Sequence, residues 1–233
     1  MKSQQKINQF LKQNQDLAYQ SFTQKIVTSS YPLLGVRSPI LKKFAKELIK
    51  DEGKWYHNYP FQYFEELVLH AYSLGFLKEP FQEVIQEIQE FLPYIDNWAI
   101  NDYACASLKQ FKKNQKEGFE FILWCLKQEQ PYTVRFGLVL LLDFYINDTY
   151  IDQVLKLCNK NYMDHYYVSM GHSWLISICY IKYPKKTIQF LEHAKIRPWV
   201  YQKAISKICD SRRVTNEEKE MLKQMKKEAS SLI

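Results

Sequence analysis

Apolar residues recur every three or four positions along most of the chain, the spacing of one helical face. Residues 3–15 carry Ile7, Phe10 and Leu11, and residues 17–28 carry Leu17, Phe22 and Ile26. After GVRSP, the stretch ILKKFAKELIK sets Ile40, Phe44 and Leu48 on one stripe with lysines opposite; Ser38 is placed to cap this helix and Pro39 fits its first position. Tyr59-Pro60 predicts the start of a helix with Phe64, Leu67, Val68 and Ala71, and Glu79-Pro80 the start of one with Phe81, Val84, Ile88 and Phe91. Pro93, Pro131, Pro184 and Pro198 mark further boundaries. Thr215-Asn216-Glu217-Glu218 has the form of a capping box before a lysine-rich last helix. The run LVLLLDFYI (138–146) is apolar enough for a buried strand, but it is bounded like a helix and sits in a helical series, so it reads as a buried helix.

The pattern predicts an all-α chain of about twelve or thirteen helices of roughly 10–20 residues joined by short loops, with no linker and no low-complexity segment across residues 1–233, hence a single domain. Consecutive helix pairs with boundaries every 30–40 residues or so predict an α-α superhelix, a solenoid of about six antiparallel pairs. The rival is an irregular helical bundle. A solenoid leaves one long concave face, which suits an extended partner.

Composition agrees. Hydrophobic residues are 46% and charged residues 24%, an ordinary globular balance, and the chain has only 6 Gly and 8 Pro, too few for a turn-rich β fold. No apolar run reaches the roughly 20 residues of a membrane span. The amino terminus is polar, and five Cys with no paired spacing do not form a disulfide framework, so the expected compartment is the cytoplasm. The net charge of +7 favours a polyanionic partner such as DNA or RNA, and an aromatic content of 15% leaves rings enough to line a groove as well as fill a core.

The five His are scattered, and Cys-x-x-Cys, a Gly-rich phosphate loop and Gly-x-Ser-x-Gly are all absent, so no metal, ATP or NAD is expected. His172 lies two residues before Trp174 and, alone in a helix, reads as structural. Four segments resist a packing explanation. In IDNWAINDYACASL (95–108), Trp98 and Asp102 are four apart and share a helical face. Asp96 is the better cap, so Asp102 is either ion-paired or a functional anion. In PYTVRFGLVLLLDF (131–144), Arg135 is the lone charge at the start of an apolar helix; it meets either a structural carboxylate or, across a groove, a phosphate. Trp174, in HYYVSMGHSWLISICYIKYP (165–184), is either core or cleft. The end of the chain, with Lys203, Lys207, Arg212 and Arg213, is either a solvated face or a phosphate clamp.

Together these segments resemble the DNA alkylation repair family, the AlkD-like alkylpurine DNA glycosylases built from HEAT-like repeats. YPLLGVRSPILKKFAKELIK (31–50) is similar to the family's Gly-Val-Arg-x-Pro signature, Trp98 and Asp102 match its Trp-x-x-x-Asp element, and KICDSRRVTNEEKEMLKQMK resembles its carboxy-terminal segment. The resemblance covers nearly the whole chain. It implies a HEAT-like superhelix with a basic concave face on duplex DNA, and hydrolytic excision of cationic N3- and N7-alkylpurines without a cofactor. Asp102 is then the catalytic carboxylate. Trp98 and Trp174 flank the lesion and Arg135 contacts DNA beside it. Lys203, Lys207, Arg212 and Arg213 grip the backbone. A monofunctional, monomeric enzyme is expected. The chain departs from the family at Ala99, where members often carry another Asp, and at Val134, where many carry a second Arg. A non-catalytic binder of branched or distorted nucleic acid and a protein-interaction scaffold are the alternatives on the same architecture.

Overall fold

The computed structural model describes residues 2–231, and among them it is built from helices alone. Its contacts group into two compact units, Met1–Asn114 and Gln115–Ile233. No helix is long and apolar enough to cross a membrane among the described residues.

The first unit holds six α-helices: α1 (Lys2–Gln13), α2 (Leu17–Gln24), α3 (Ser38–Glu52), α4 (Phe64–Leu74), α5 (Phe81–Phe91) and α6 (Trp98–Ser107). α4 is its hub, buried along its whole length and packed by α3, α5 and α6. Two carboxylates on α4 organise the loops before it. Glu66 accepts from the Tyr63 and Gln62 amides at 2.9 and 2.5 Å and from the Tyr59 hydroxyl at 2.8 Å. It thereby caps the helix four residues later than Tyr59-Pro60 predicts. Glu65 accepts from the Leu34, Gly35 and Val36 amides, the closest at 2.7 Å, so the Gly-Val-Arg stretch is a loop wrapped around a buried carboxylate. Gly35 has φ +87°, and a Cβ there would lie 2.5 Å from the Asp16 carbonyl oxygen. Only glycine meets both conditions.

Ser38 is the first residue of α3 rather than its cap; its hydroxyl shares a hydrogen bond with the Tyr72 hydroxyl at 2.5 Å. In α1, Ile7 and Leu11 are buried as the spacing predicts. α2 differs: Leu17 and Phe22 on it, and Ile26 just after it, are exposed, and the helix buries Thr23 instead. Eight residues leave room for one contact face, and here a hydroxyl takes it by bonding back to the Tyr19 carbonyl at 2.8 Å.

The second unit holds α7 (Gln115–Cys125), α8 (Pro131–Phe144), α9 (Ile151–Cys158), α10 (Tyr166–Lys182), α11 (Pro184–Glu192), α12 (Pro198–Cys209) and α13 (Asn216–Ser231). α8 contains most of the run LVLLLDFYI, buried as a helix. α10 is packed by α8, α9, α11 and α12, so α8, α10 and α12 lie side by side, each meeting the helix two places along, as adjacent helical repeats pack. The capping box of α13 is formed: Glu218 N donates to Thr215 Oγ1 at 3.2 Å and Thr215 N to the Glu218 carboxylate at 2.8 Å.

Candidate functional site

In the first unit the site is built on the start of α6. Asn97, fully buried, is the cap, accepting from the Ala99 and Ile100 amides at 3.0 and 3.1 Å. The assignment of the cap to Asp96 is therefore corrected. Asp96 lies one residue too early and binds the loop after α2 instead: its carboxylate accepts from the Ser29 hydroxyl at 2.9 Å, and from the Ser30 amide and hydroxyl at 2.5 and 2.6 Å. This clamp brings the Ile26 carbonyl over α6, where the indole Nε1 of Trp98 donates to it at 3.0 Å. Trp98 opens the helix and Asp102 follows one turn later on the same face, both half-buried. A bonded indole and a carboxylate thus share a partly open helical face.

The next residue on α6, Tyr103, joins Tyr72, its ring 5.5 Å away. Two cations cover this tyrosine group: Arg37 sits 5.0 Å over the Tyr19 ring and Lys42 5.8 Å over the Tyr72 ring. Burial first, and then the neighbouring Tyr19 and Tyr72 hydroxyls, push the Tyr103 phenol above its usual range. Sequence reasoning left Arg37 inside its motif without a role and missed Tyr19, Lys42 and Tyr103. Tyr19, the Arg37–Lys42 stretch, Tyr72 and Tyr103 come from four separate segments, and the aromatic excess was the one signal that touched the tyrosines.

In the second unit, Arg135 is buried in α8 and donates from Nη1 to the Tyr167 carbonyl on α10 at 2.8 Å. Its side chain crosses α10 at Gly171, where a Cβ would touch Nη1 at 3.4 Å and Cγ at 3.5 Å. Trp174 lies one turn beyond Gly171 on the same face of α10 and is half-buried. α12 packs beside α10 and carries Lys203 and Lys207 one turn apart, both half-buried. The Lys207 ammonium is held below its ordinary range by burial first, then by the charges of Lys203 and Arg135; Asp210 opposes them. Three cations thus share one electrostatic neighbourhood, a self-repelling arrangement that an anion relieves. Arg212 and Arg213 are exposed in the turn between α12 and α13, past the end of the helix that carries the lysines.

His172 is structural, as its isolation in the sequence indicates. Its Nε2 pairs with the Cys158 carbonyl at 2.8 Å, and burial lowers its pKa to about 4, so it is neutral at physiological pH. The predicted site residues therefore fall into two groups: Trp98 and Asp102 on α6, and Arg135, Trp174, Lys203 and Lys207 on α8, α10 and α12.

A carboxylate beside an indole can stabilise a developing cation, and a cluster of guanidinium and ammonium groups can hold phosphates. Among curated proteins and among solved structures, none matches the chain. The family model described as DNA alkylation repair enzyme matches residues 7–231, and the chain belongs to that family.

Proposed function

We propose that this protein is a monofunctional alkylpurine DNA glycosylase, acting as a monomer on duplex DNA through a HEAT-like superhelix. The observation that carries the reading is the pairing of Trp98 with Asp102 on one half-buried face of α6, the indole fixed by the Ile26 carbonyl. Family membership supplies the substrate class, DNA carrying alkylated bases. Side-by-side packing of α8, α10 and α12 supports the repeat architecture.

The chemistry suits a cofactor-free site. A purine alkylated at N3 or N7 is cationic and already a good leaving group. Its C1′–N bond breaks heterolytically, the electron pair returning to the purine nitrogen and leaving an oxocarbenium ion on the sugar. The Asp102 carboxylate stabilises that cation and orients a water, whose oxygen bonds to C1′ while its proton passes to the carboxylate or to solvent. The products are the free alkylated base and an abasic site. No lysine acts as nucleophile, so the strand is not cut. The Trp98 indole offers a π-face to the cationic base, worth roughly 0.5–2 kcal/mol, and Trp174 contacts the DNA from the second unit. Arg135, Lys203, Lys207, Arg212 and Arg213 bind phosphates.

Ala99 and Val134, which stand where family members often carry an acid and an Arg, are both buried here. Each fills core beside its site residue, and the proposed chemistry needs neither for charge.

The test is release of 7-methylguanine and 3-methyladenine from methylated duplex DNA. The native protein is expected to release both above a DNA-only control; Asp102→Asn is expected to lose about 100-fold or more in rate while DNA binding persists. Full activity in Asp102→Asn would remove the aspartate from the mechanism. DNA binding without base release would leave the non-catalytic nucleic-acid binder.

A further inference from the structure

On the first unit, a polar cavity of about 450 Å³ is lined by Tyr56, His57, Phe61, His70, Glu87 and Glu90 among others. At its mouth, His57, Glu87 and Glu90 each offer a ligand atom, and the three lie within 4.8 Å of one another. Glu87 is divided between two partners: its Oε1 accepts from the Lys54 ammonium at 2.6 Å, while its Oε2 meets the His57 Nε2 at 2.9 Å. Glu90 is exposed and has its carboxylate at the opening.

The floor of the cavity carries the second observation. His70 is 4% exposed, and neither ring nitrogen has a hydrogen-bond partner. A buried imidazole with two unsatisfied nitrogens is destabilising, a cost that structures tolerate where a ligand completes the group. The ring is stacked between Tyr56 at 3.8 Å and Phe61 at 5.6 Å, so its nitrogens lie at the edge of an aromatic sandwich. Burial, and then the nearby His57, hold its pKa well below the usual histidine range, so the ring is neutral and keeps a lone pair for an acceptor role.

We propose that His57, Glu87 and Glu90 form a binding site for a divalent transition-metal ion of the zinc class, with His70 facing the metal or its bound water from the cavity floor. One imidazole and two carboxylates are the donor set of an open zinc or manganese site, borderline nitrogen with hard oxygen, leaving one position for water. Lys54 stays on Glu87 Oε1, orienting the carboxylate so that Oε2 turns to the ion. The site ties the 54–61 turn, where Asn58 adopts a left-handed φ of 57°, to α5. Glu87 and Glu90 are one turn apart on α5, but the cluster is not legible in the chain because the imidazole that completes it, His57, lies 30 residues before Glu87.

The full-length protein, stripped with a chelator, is titrated with Zn2+ by calorimetry and with Co2+ by visible absorption. A single saturable site per chain is expected, with Co2+ bands of a low-coordinate nitrogen–oxygen site. His57→Ala and Glu90→Gln, both at exposed side chains, are expected to weaken binding at least tenfold while the metal-free melting temperature holds. His70→Phe, which keeps the aromatic stack, is expected to change the Co2+ spectrum. Cys209→Ser, removing the half-buried thiol, is expected to change nothing. Absence of saturable binding to Zn2+, Co2+ and Mn2+, or equal affinity in His57→Ala and Glu90→Gln, would overturn the proposal.

Discussion

At the scale of single residues, the folded chain holds several ionisable groups in states they would not choose in water. His172 illustrates the consequence. Its folded pKa is about 4, against an unfolded value of about 6.5, so the unfolded chain takes up the proton first as pH falls. The stability that His172 contributes is therefore complete above about pH 6.5 and is lost as pH drops towards 4, at most about 3 kcal/mol. His70 shifts in the same direction, again because burial disfavours its charge. Urea denaturation between pH 7 and pH 4 is expected to show stability falling through this window. His172→Gln should be less stable at pH 7 and decline less steeply. Parallel profiles for the two proteins would mean that His172 is not the group titrating. A histidine two residues before Trp174 in sequence could have been taken for an acid–base catalyst; burial and one carbonyl partner at 2.8 Å give it a packing role.

At the scale of elements, the Gly-Val-Arg stretch acts by geometry more than by side-chain chemistry. Glu65 reaches out of α4 to accept three consecutive amides, and the Asp16 amide at the start of α2 donates to the Gly35 carbonyl at 3.1 Å. One loop thereby registers α2, α3 and α4. Gly35→Ala is expected to cost about 2–4 kcal/mol, from the left-handed φ and the collision with the Asp16 carbonyl together. Chemical denaturation measures it, and a loss under about 0.5 kcal/mol would mean that the loop is free to rearrange. Helix number and type were legible because apolar spacing is local: the buried run in α8, the capping box of α13 and the shared face of Trp98 and Asp102 all follow from residues a few positions apart. What was not legible depends on distant partners. Asn97 rather than Asp96 caps α6 because Ser29 and Ser30 take the Asp96 carboxylate. The start at Phe64 depends on where Glu66 finds its amides. Gly171 matters because Arg135, 36 positions earlier, passes over it. Leu17, Phe22 and Ile26 carried a helical stripe that nothing in the sequence could show to be exposed.

At the scale of the whole molecule, the excess of 32 Lys and Arg over 25 Asp and Glu becomes informative only where it is concentrated. Net charge alone speaks to long-range attraction. A local cluster speaks to contacts, because like charges gathered there are held against their own repulsion. Lys207 is such a charge, its ammonium lowered by burial first and then by the charges of Lys203 and Arg135. If α12 holds the phosphates of a duplex, each lysine releases counterions on binding, and the logarithm of affinity falls linearly with the logarithm of salt concentration. Fluorescence anisotropy with undamaged duplex is expected to give a steep line for the native protein. Lys203→Ala with Lys207→Ala should weaken binding to all sequences alike and flatten the slope by about two phosphate contacts, roughly 1.8 in slope. Asp102→Asn should leave that slope unchanged, since a carboxylate with the proposed role at the sugar releases no counterion. A native line that is already flat, or a double variant with the native slope, would place the phosphate grip elsewhere on the chain and leave the α12 lysines as a solvated face.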